Sequence, residues 1–545
     1  MASESRGAGK FLKIGIAVVV VVILAIGAWY IFADRARVGP EIVFHRGNGA
    51  EPETLDVHKS TGVPEAMLGR DLFEGLVAEA ADGSLIPGVA ESWTISDDGL
   101  VYTFKLRADA KWSDGDPLSA EDFVYSMRRA LDPATASDYA FLLYPIANAE
   151  EFNGGTVTDA QSVGVVASDN RTLRVTVKAP TPYFLQMLVN TTAYPVPRAT
   201  IEAHGDQWTQ PGNMVSNGAY MMAEWVPQDH IKLVKNPNFH DAASVAVDTV
   251  YYYPTEDTAA ELNRYRAGEL DVTYDAPSDQ IPWIEENLAA EFHNTPYLGT
   301  YYYAFNMTKP PFGDNLKLRQ ALALAVDRET LVDKITLGGE APAYSWIPPG
   351  VTNYQPQTLD WAAKSQDERN AMAKALYAEA GYSADNPLKV EILYNTSENH
   401  KKIAIAIAGM WQQVLGVEAT LRNEEWQVYL ESRDQKQFQV VRAGWIGDYN
   451  DANTFLDFHL SDVGAINTPG YASARYDELV KGAALEPDMA KRAAMLEQAE
   501  AVFLADLPVF PIYHYTTQHL VKPYVSGWVD NILDYHPSRW IVVNR

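Results

Sequence analysis

From about Tyr297 onward, the sequence alternates between helical and extended segments, and this order constrains the fold more than any other feature. Hydrophobic periodicity and glycine stops predict each element. The predicted helices are Leu316–Ala325, Arg328–Leu337, Glu368–Ala380, Glu398–Leu415 and Glu425–Arg433, and the predicted strands are Leu388–Tyr394, Val417–Arg422 and Phe438–Gly444. Such βαβ order predicts an α/β lobe with a mostly parallel sheet, in which ligands bind at the carboxyl ends of the strands.

The last of these strands carries two opposite charges near its end. Its apolar and β-branched residues show no helical period, which predicts a buried strand. Because alternate residues of a strand share a face, Arg442, Gly444, Ile446 and Asp448 are predicted to point the same way. Six residues of extended chain span roughly 20 Å, which is the scale of a short zwitterion.

Composition limits the partners of the chain. Its 545 residues suffice for two or three domains, because single cores rarely exceed about 250–300 residues. A formal net charge of −28 opposes binding to nucleic acid or anionic membrane surfaces and leaves cationic or zwitterionic partners open. The absence of cysteine excludes disulfides, thiolate metal sites, a cysteine nucleophile and a lipid anchor on an N-terminal cysteine.

An uncharged apolar run of 19 residues, IGIAVVVVVILAIGAWYIF, occupies positions 14–32. Its length matches one bilayer crossing and exceeds the usual signal-peptide core of about 7–15 residues. We therefore predict one N-terminal transmembrane helix with its basic flank in the cytoplasm and the acidic bulk exported. Signal cleavage near Ala25, Gly27 and Ala28 is the alternative.

A block between about residues 77 and 190 has a different texture. Tyr102, Phe104 and Leu106 alternate with polar residues after an Asp98-Gly99 turn, which predicts a half-buried strand. Ser119 is predicted to cap a helix, and a further strand follows at 172–178. The block is predicted to be a β-rich insertion.

Common catalytic signatures are missing from the sequence. It contains no His-Glu-x-x-His, no Gly-x-Ser-x-Gly and no Walker A motif, and its 11 histidines show no metal-ligand spacing. We therefore predict no enzymatic activity, no cofactor and no metal. A membrane-tethered secreted hydrolase that uses two distant carboxylates remains the alternative from another class.

Seven segments in one order resemble the periplasmic oligopeptide-binding proteins of bacterial ABC importers, within the family 5 extracellular solute-binding proteins. The resemblance covers about residues 41–543. The segments are LDVHKSTGVPEAMLGRDLFEGL (55–76), PGVAESWTISDDGLVYTFKLRADAKWSDGDPLSAEDF (87–123), WTQPGNMVSNGAY (208–220), NRYRAGELDVTY (263–274), YLGTYYYAFN (297–306), LYNTSENHKKIAIA (393–406) and RAGWIGDYN (442–450).

The resemblance implies a two-lobed α/β periplasmic-binding-protein fold that closes on its ligand, with an extra β-rich domain. It assigns residues 1–40 to a cytoplasmic stub, membrane anchor or signal, and linker. Lobe I comprises 41–76 with 191–296 and 515–545, the extra domain comprises 77–190, and lobe II comprises 297–514.

The resemblance also implies the ligand contacts. Asp448 would receive the ammonium group of a peptide, whereas Arg442 and Arg433 would receive its carboxylate and His400 the carboxylate of a longer peptide. The remaining predicted contacts line the cleft or meet the peptide backbone: Trp445, Trp426, Gly444, Asn395, Tyr139, Tyr274, Val63 and Thr61. One fixed anion with carboxylate partners at several depths suits ligands of variable length.

Each assignment has a purely structural alternative. Arg442 would form a salt bridge inside its lobe, Asp448 would only form a turn, His400 would be solvated, and Trp426 would belong to the core. Given the resemblance, we predict a monomeric, non-enzymatic receptor at the outer face of the inner membrane, anchored by residues 14–32 or released by cleavage. It would deliver short peptides to the permease subunits of an ABC transporter, and the alternative ligand is a cell-wall (murein) peptide or another cationic solute.

Overall fold

The computed structural model describes residues 40–351 and 353–545. From Phe44 onward the chain forms one compact unit. The predicted transmembrane segment, residues 14–32, lies outside the described residues. Within the described ranges, no helix combines the length and apolar character needed to cross a membrane.

The first part of the chain builds two separate four-stranded sheets. The small sheet has the order β1-β10-β9-β8 and the insert sheet the order β4-β5-β7-β6. The strands of this part are β1 (Val43–Gly47), β2 (Val77–Glu79), β3 (Leu85–Pro87), β4 (Ala90–Ile95), β5 (Val101–Leu106), β6 (Val165–Asp169), β7 (Thr172–Thr176), β8 (Tyr220–Val226), β9 (His230–Lys235), β10 (Thr249–Tyr253) and β11 (Phe292–His293).

The helices of this part are α1 (Val63–Leu72), α2 (Ala120–Leu131), α3 (Ala149–Asn153), α4 (Phe184–Met187), α5 (Arg198–His204), α6 (Thr258–Ala267) and α7 (Ile281–Asn287). The insert sheet contains the strand predicted after the Asp98-Gly99 turn, which is β5; it pairs antiparallel with β4, and Gly99 in the turn has φ 72°. At the start of the predicted helix, the backbone N–H of Ser119 donates to the Asp122 carboxylate at 2.7 Å, and its hydroxyl donates to the same oxygen at 2.8 Å. Both local predictions are confirmed.

The second part of the chain builds the large sheet, which has six strands in the order β13-β17-β12-β16-β14-β15. Its strands are β12 (Pro296–Phe305), β13 (Ala341–Pro342), β14 (Lys389–Asn395), β15 (Glu418–Glu424), β16 (Val440–Ile446) and β17 (Val509–Thr516). Its helices are α8 (Leu316–Leu324), α9 (Arg328–Leu331) with a π-helical turn (Val332–Thr336), α10 (Gln366–Glu379), α11 (Glu398–Leu415), α12 (Trp426–Asp434), α13 (Ala474–Leu485) and α14 (Met489–Asp506). The short strands β18 (His519–Leu520), β19 (Val525–Ser526) and β20 (Val542–Val543) follow.

The prediction of a mostly parallel large sheet is wrong. Only β14 with β15 and β14 with β16 pair in parallel, as helical crossovers require. Strand β12 pairs antiparallel with both β16 and β17, and β13 pairs antiparallel with β17. The alternation of elements in the sequence gives their order but not the direction in which a strand enters the sheet.

Two hydrophobic cores lie on either side of a pair of chain crossings. The larger core surrounds the large sheet and includes Ile403 of α11, whereas a smaller one holds Ala276 and Ile281. The chain passes between them at Thr295 and returns at Thr517. These two residues are hydrogen bonded, because the Thr517 N–H donates to the Thr295 carbonyl at 2.8 Å. The two crossings therefore lie side by side.

Candidate functional site

The predicted charged strand is β16, which lies between β12 and β14 in the large sheet. Arg442, Gly444 and Ile446 line one cavity, which agrees with the common face predicted for them, but Asp448, which was predicted on the same face, does not line it. Asp448 follows the strand by two residues and lines a second cavity. Both cavities lie near the carboxyl end of β16.

The two cavities adjoin each other. The larger one has a volume of about 250 Å³ and the smaller one about 140 Å³. They share the lining residues Val63, Met67, Tyr297, Trp426, Arg433, Gly444, Ile446 and Asp534. Because these residues come from both parts of the chain, the cavities form one cleft between them.

All twelve predicted contact residues line this cleft. The larger cavity is lined by Val63, Tyr274, Asn395, His400, Trp426, Arg433, Arg442 and Gly444. The smaller cavity is lined by Thr61, Val63, Tyr139, Trp426, Arg433, Gly444, Trp445 and Asp448. Residues that are far apart in the sequence are thus brought to one place, and their contacts with a ligand remain a prediction.

Asp448 presents a buried carboxylate whose nearest cationic influence, Arg70, acts on it without forming a salt bridge and is itself paired with Glu79 at 3.6 Å. Its side chain accepts a hydrogen bond of 2.8 Å from the amide of Asn190, and its backbone N–H donates to the Thr454 hydroxyl at 2.9 Å. Among the described residues, no cation forms a salt bridge with it. Burial raises the pKa of Asp448 to about 7. The carboxylate therefore lies where a cationic ligand group would stabilise its charged form.

Arg442 has the complementary character. Its guanidinium donates to the Asn395 side chain at 3.1 Å and to the Tyr515 hydroxyl at 2.8 Å, and it lies 4.5 Å from the Tyr301 ring centre. Its Nε is buried without a hydrogen-bond partner, and no carboxylate within the described ranges pairs with it. The alternative prediction, that Arg442 forms a salt bridge inside its lobe, is therefore wrong.

Gly444 makes the Arg442 arrangement possible. A Cβ atom at this position would lie 2.5 Å from the Tyr515 hydroxyl, which is the oxygen that holds the guanidinium. Any other residue would displace Tyr515 or the strand. The absence of a side chain at Gly444 therefore leaves room for the Tyr515 hydroxyl beside Arg442.

Arg433 differs from Arg442 in having an internal acid. Its Nε donates to Asp434 at 3.1 Å, although one terminal nitrogen is buried without a hydrogen-bond partner. The neighbouring carboxylate already offsets its charge. Of the two predicted carboxylate-binding arginines, Arg442 is thus the one that lacks compensation.

His400 is neutral in this arrangement. Burial and the nearby Arg442 lower the pKa of His400 well below its usual value of 6.5. Its Nδ1 lies 3.4 Å from the Tyr301 hydroxyl, and its backbone N–H donates to Ser397 at the start of α11. It can offer a neutral hydrogen bond to a ligand rather than a second positive charge.

Three predicted aromatic residues form walls of the cleft. Trp445 stacks between Phe458, at 3.5 Å between ring centres, and Tyr139, at 6.1 Å. The indole N–H of Trp426 donates to Glu65 at 3.2 Å, and its ring stacks on Tyr429. Trp426 therefore contacts the other side of the cleft instead of only filling the core.

Sequence reasoning missed several residues that hold the site together. Asn190 and Tyr515 bond directly to the two charged residues, and Asp534 lines both cavities. Glu65 accepts the Trp426 hydrogen bond across the cleft. No local pattern marks these residues, because only the tertiary fold brings them to the cleft.

A cleft between two bodies, lined by an acid and a guanidinium that form no salt bridge among the described residues, defines the class as a two-lobed ligand-binding protein. The sequence profile of the bacterial extracellular solute-binding proteins, family 5 (middle), matches residues 84–467. The chain belongs to this family. Its fold is the two-lobed α/β fold of periplasmic binding proteins.

Named relatives agree with this assignment. The chain is 44% identical over 488 residues to the periplasmic oligopeptide-binding protein OppA of Escherichia coli K12, covering 89% of each sequence. It is also similar to the Haemophilus influenzae OppA structure in complex with RPPGFSPFR, with a TM-score of 0.90, 37% identity, and coverage of 93% of this chain and 100% of that one.

One relative is available in two structures. The E. coli murein tripeptide-binding protein MppA matches with a TM-score of 0.91, 38% identity, and coverage of 93% of this chain and 99% of that one. Its unliganded open form, at the same identity and coverage of 93% and 98%, matches with a TM-score of only 0.64. The lobes of the present chain are therefore arranged as in the first MppA structure and not as in the open form.

Proposed function

We propose that this chain is the substrate-binding receptor of a peptide ABC importer and that it captures short oligopeptides through their charged termini and backbone. In this proposal Asp448 receives the peptide ammonium group and Arg442 the carboxylate. The two lobes close on the ligand, and the loaded receptor meets the permease subunits of the transporter. No chemical conversion of the peptide is involved.

One observation supports this proposal above all. Asp448 and Arg442 both face the cleft, and among the described residues neither is paired with an opposite charge. Leaving a buried charge without its partner typically costs about 3–5 kcal/mol. A zwitterionic peptide that reaches both groups supplies the missing charges, whereas a neutral ligand of the same size does not.

Contacts between the two sides of the cleft support closure by a hinge motion. Gln427 donates to the Pro52 carbonyl at 3.0 Å, and the rings of Tyr183 and Tyr449 stack with centres 5.4 Å apart. Together with the Asn190 and Trp426 hydrogen bonds, they exist only when the lobes meet. A ligand that contacts both lobes would favour this state over the open one.

The proposal includes the predicted domain boundaries. Lobe I would comprise residues 41–76, 191–296 and 515–545, with the extra domain at 77–190 and lobe II at 297–514. The small sheet and the insert sheet fall within the first two regions, and the large sheet falls within the third except for Pro296, Tyr515 and Thr516 at its strand ends, which supports the division to within two residues. We also propose that the receptor is a monomer at the periplasmic face of the inner membrane, anchored by residues 14–32 or released by cleavage.

Calorimetry with three ligands tests the proposal. A tripeptide with free termini is compared with its N-acetylated and C-amidated forms, and the mixtures are assayed for cleavage after overnight incubation. We expect tight binding of the free peptide, weaker binding of both capped forms, and intact peptide. Equal affinity for all three forms would contradict capture through the termini, and cleavage would favour the hydrolase.

A cell-wall peptide is the second candidate ligand. It is supported by the similarity to the murein tripeptide-binding protein, whose TM-score of 0.91 equals, within 0.01, the 0.90 of the peptide-bound OppA structure. Calorimetric competition between an ordinary tripeptide and a murein tripeptide distinguishes the two candidate ligands. Displacement of the ordinary peptide by a lower concentration of murein peptide would select this candidate.

A further inference from the structure

Two histidines and an aspartate meet at the wall of the larger cavity: His519, Asp534 and His536. The Nε2 atom of His519 lies 2.9 Å from one carboxylate oxygen of Asp534 and 3.1 Å from the other. The Nε2 atom of His536 lies 2.8 Å from Asp534. One potential ligand atom from each residue lies within 4.8 Å of the other two.

Spacing rules did not indicate this cluster, because His519 and His536 are far apart in the sequence and strand β19 lies between them. His519 lies on the short strand β18, whereas Asp534 ends a turn in which its N–H donates to the Asn531 carbonyl at 3.0 Å. Asp534 takes up the left-handed conformation, with φ 55°. The turn thus directs the carboxylate at both imidazoles.

The hydrogen bonds of His519 resemble those of a metal ligand. Its Nδ1 lies 3.0 Å from the Thr273 carbonyl, which can only accept, so the Nδ1 carries a proton. The Nε2 then faces the Asp534 carboxylate with either a second proton or a lone pair. Metal-binding histidines are oriented in this way by a carbonyl or carboxylate on the other ring nitrogen.

The cluster is shielded but open on one side. The exposed fractions of the side chains are 6% for His519, 16% for Asp534 and 3% for His536. His536 also stacks on Trp528, with ring centres 3.7 Å apart. His519 and Asp534 line the larger cavity, so an ion held by the cluster would be reached from the cleft.

Nearby charges are mixed. Arg46 donates to the His536 carbonyl at 2.9 Å, and Asp275 lies on the side of His519. Although burial disfavours a charged imidazole, Asp534 raises the pKa of His519 to about 9. A proton therefore occupies the space between His519 and Asp534 at neutral pH, and a cation that binds there has to displace it.

We propose that His519, Asp534 and His536 bind a divalent transition-metal ion such as Zn²⁺ through the two Nε2 atoms and the carboxylate. Imidazole and carboxylate ligands suit such ions, and a site with three protein ligands keeps one position free. Ligand atoms around a tetrahedral Zn²⁺ at about 2.0–2.1 Å are roughly 3.3 Å apart, so small shifts of the three side chains accommodate the ion. The free position faces the peptide cleft, and the site exists whether or not peptides are the ligand.

Metal titration of the full-length chain tests this proposal. The protein is stripped with a chelator and titrated with Zn²⁺ alone against a chromophoric competitor. We expect about one Zn²⁺ per chain in the wild type. His519→Gln and His536→Gln should each weaken binding beyond the about 10–100-fold loss typical of an outer-shell substitution. His204→Gln, which changes an exposed histidine outside the cluster, serves as the matched control and should bind like the wild type.

Two outcomes of the titration would overturn the proposal: no Zn²⁺ binding by the wild type, or unchanged binding by both cluster variants. Circular dichroism verifies that the variants are folded. If the variants are unfolded, a Co²⁺ titration of the wild-type protein replaces them. Bound Co²⁺ should show the intense visible bands of a tetrahedral site, and its binding should release protons. A spectrum identical to that of aqueous Co²⁺ would exclude the site.

Discussion

Asn190 donates a hydrogen bond of 2.8 Å to Asp448 across the cleft, although 258 positions separate them in the sequence. An amide satisfies one lone pair of the carboxylate but contributes no charge. The contact therefore joins the two sides of the site and leaves the negative charge of Asp448 available to a ligand. A cation at this position would have cancelled it.

Replacing Asp448 by Asn should weaken the binding of a tripeptide with a free amino terminus by about 3–5 kcal/mol, because the buried ammonium group loses its counter-charge. Calorimetry measures the change. Asp367→Asn, which removes an exposed acid on α10, is the control and should bind like the wild type. The N-acetylated peptide should bind both variants equally. An unchanged affinity of Asp448→Asn for the free peptide would refute the role of this residue.

Arg442→Gln should cost more affinity than Arg433→Gln. Arg442 lacks an acidic partner among the described residues, whereas Arg433 is bonded to Asp434 at 3.1 Å. Loss of a charged hydrogen bond is worth about 1.5–3 kcal/mol. The loss should disappear when the peptide carries a C-terminal amide, and thermal unfolding controls for stability. Equal losses in the two variants would show that the internal acid does not matter.

Peptide affinity should fall as the pH drops below about 7. Burial raises the pKa of Asp448 from 3.8 to about 7 in the ligand-free closed state. Between these two pH values the unfolded chain ionises and the closed state does not, so the closed state loses stability relative to the unfolded chain as the pH rises. The peptide-bound state has the opposite pH dependence, because the peptide ammonium group pairs only with the ionised form of Asp448. Between about pH 5 and pH 7 the ammonium stays protonated, and affinity should weaken by up to about tenfold per pH unit.

The Asp448→Asn variant separates this residue from other titrating groups in the cleft. Burial also raises the pKa of Glu65 to about 7 and that of Asp275 to about 6. The difference between wild type and variant in a pH series of dissociation constants isolates the contribution of Asp448. Parallel pH profiles for the two proteins would assign the effect to the other acids.

Lys402→Ala should weaken peptide binding slightly, by about 0.2–1 kcal/mol. Lys402 on α11 bonds at 3.0 Å to Asp279, which lies between residues of the smaller core, so this salt bridge forms on closure. The exposure of both side chains keeps its contribution small and sensitive to salt. Lys401→Ala is a matched control, because Lys401 pairs with Glu398 inside the same helix. Equal effects of the two substitutions would exclude a role in closure.

Local structure was predictable where a local signal exists. Helix α11 begins and ends at the predicted residues, because Ser397 caps its first turn and Gly416 ends it at φ 73°. The direction of β12 was not predictable, because strand pairing depends on distant chain. The common face of Arg442, Gly444 and Ile446 follows from strand geometry and agrees with the prediction, whereas Asp448 lies beyond the end of β16, where strand geometry no longer applies.

The site divides along the same line. Asp448 and Arg442 were found because both belong to one short segment, RAGWIGDYN, whose resemblance to the family implied their roles. Their partners Asn190 and Tyr515 are ordinary polar residues in unremarkable surroundings, and they acquire a role only through contacts over 258 and 73 positions. The same reason hid the cluster of His519 and Asp534.

The hydrogen-bonded pair of Thr295 and Thr517 has a mechanical consequence. In the proposed hinge closure, two crossings that are hydrogen bonded side by side would bend about the line that joins them more easily than they would twist, so the lobes would open and close about one axis. Each swing then returns the same residues to the same opposing positions. A hinge of this kind would allow the receptor to accept peptides of different sequence, because the backbone of the two crossings aligns the lobes and the peptide does not have to.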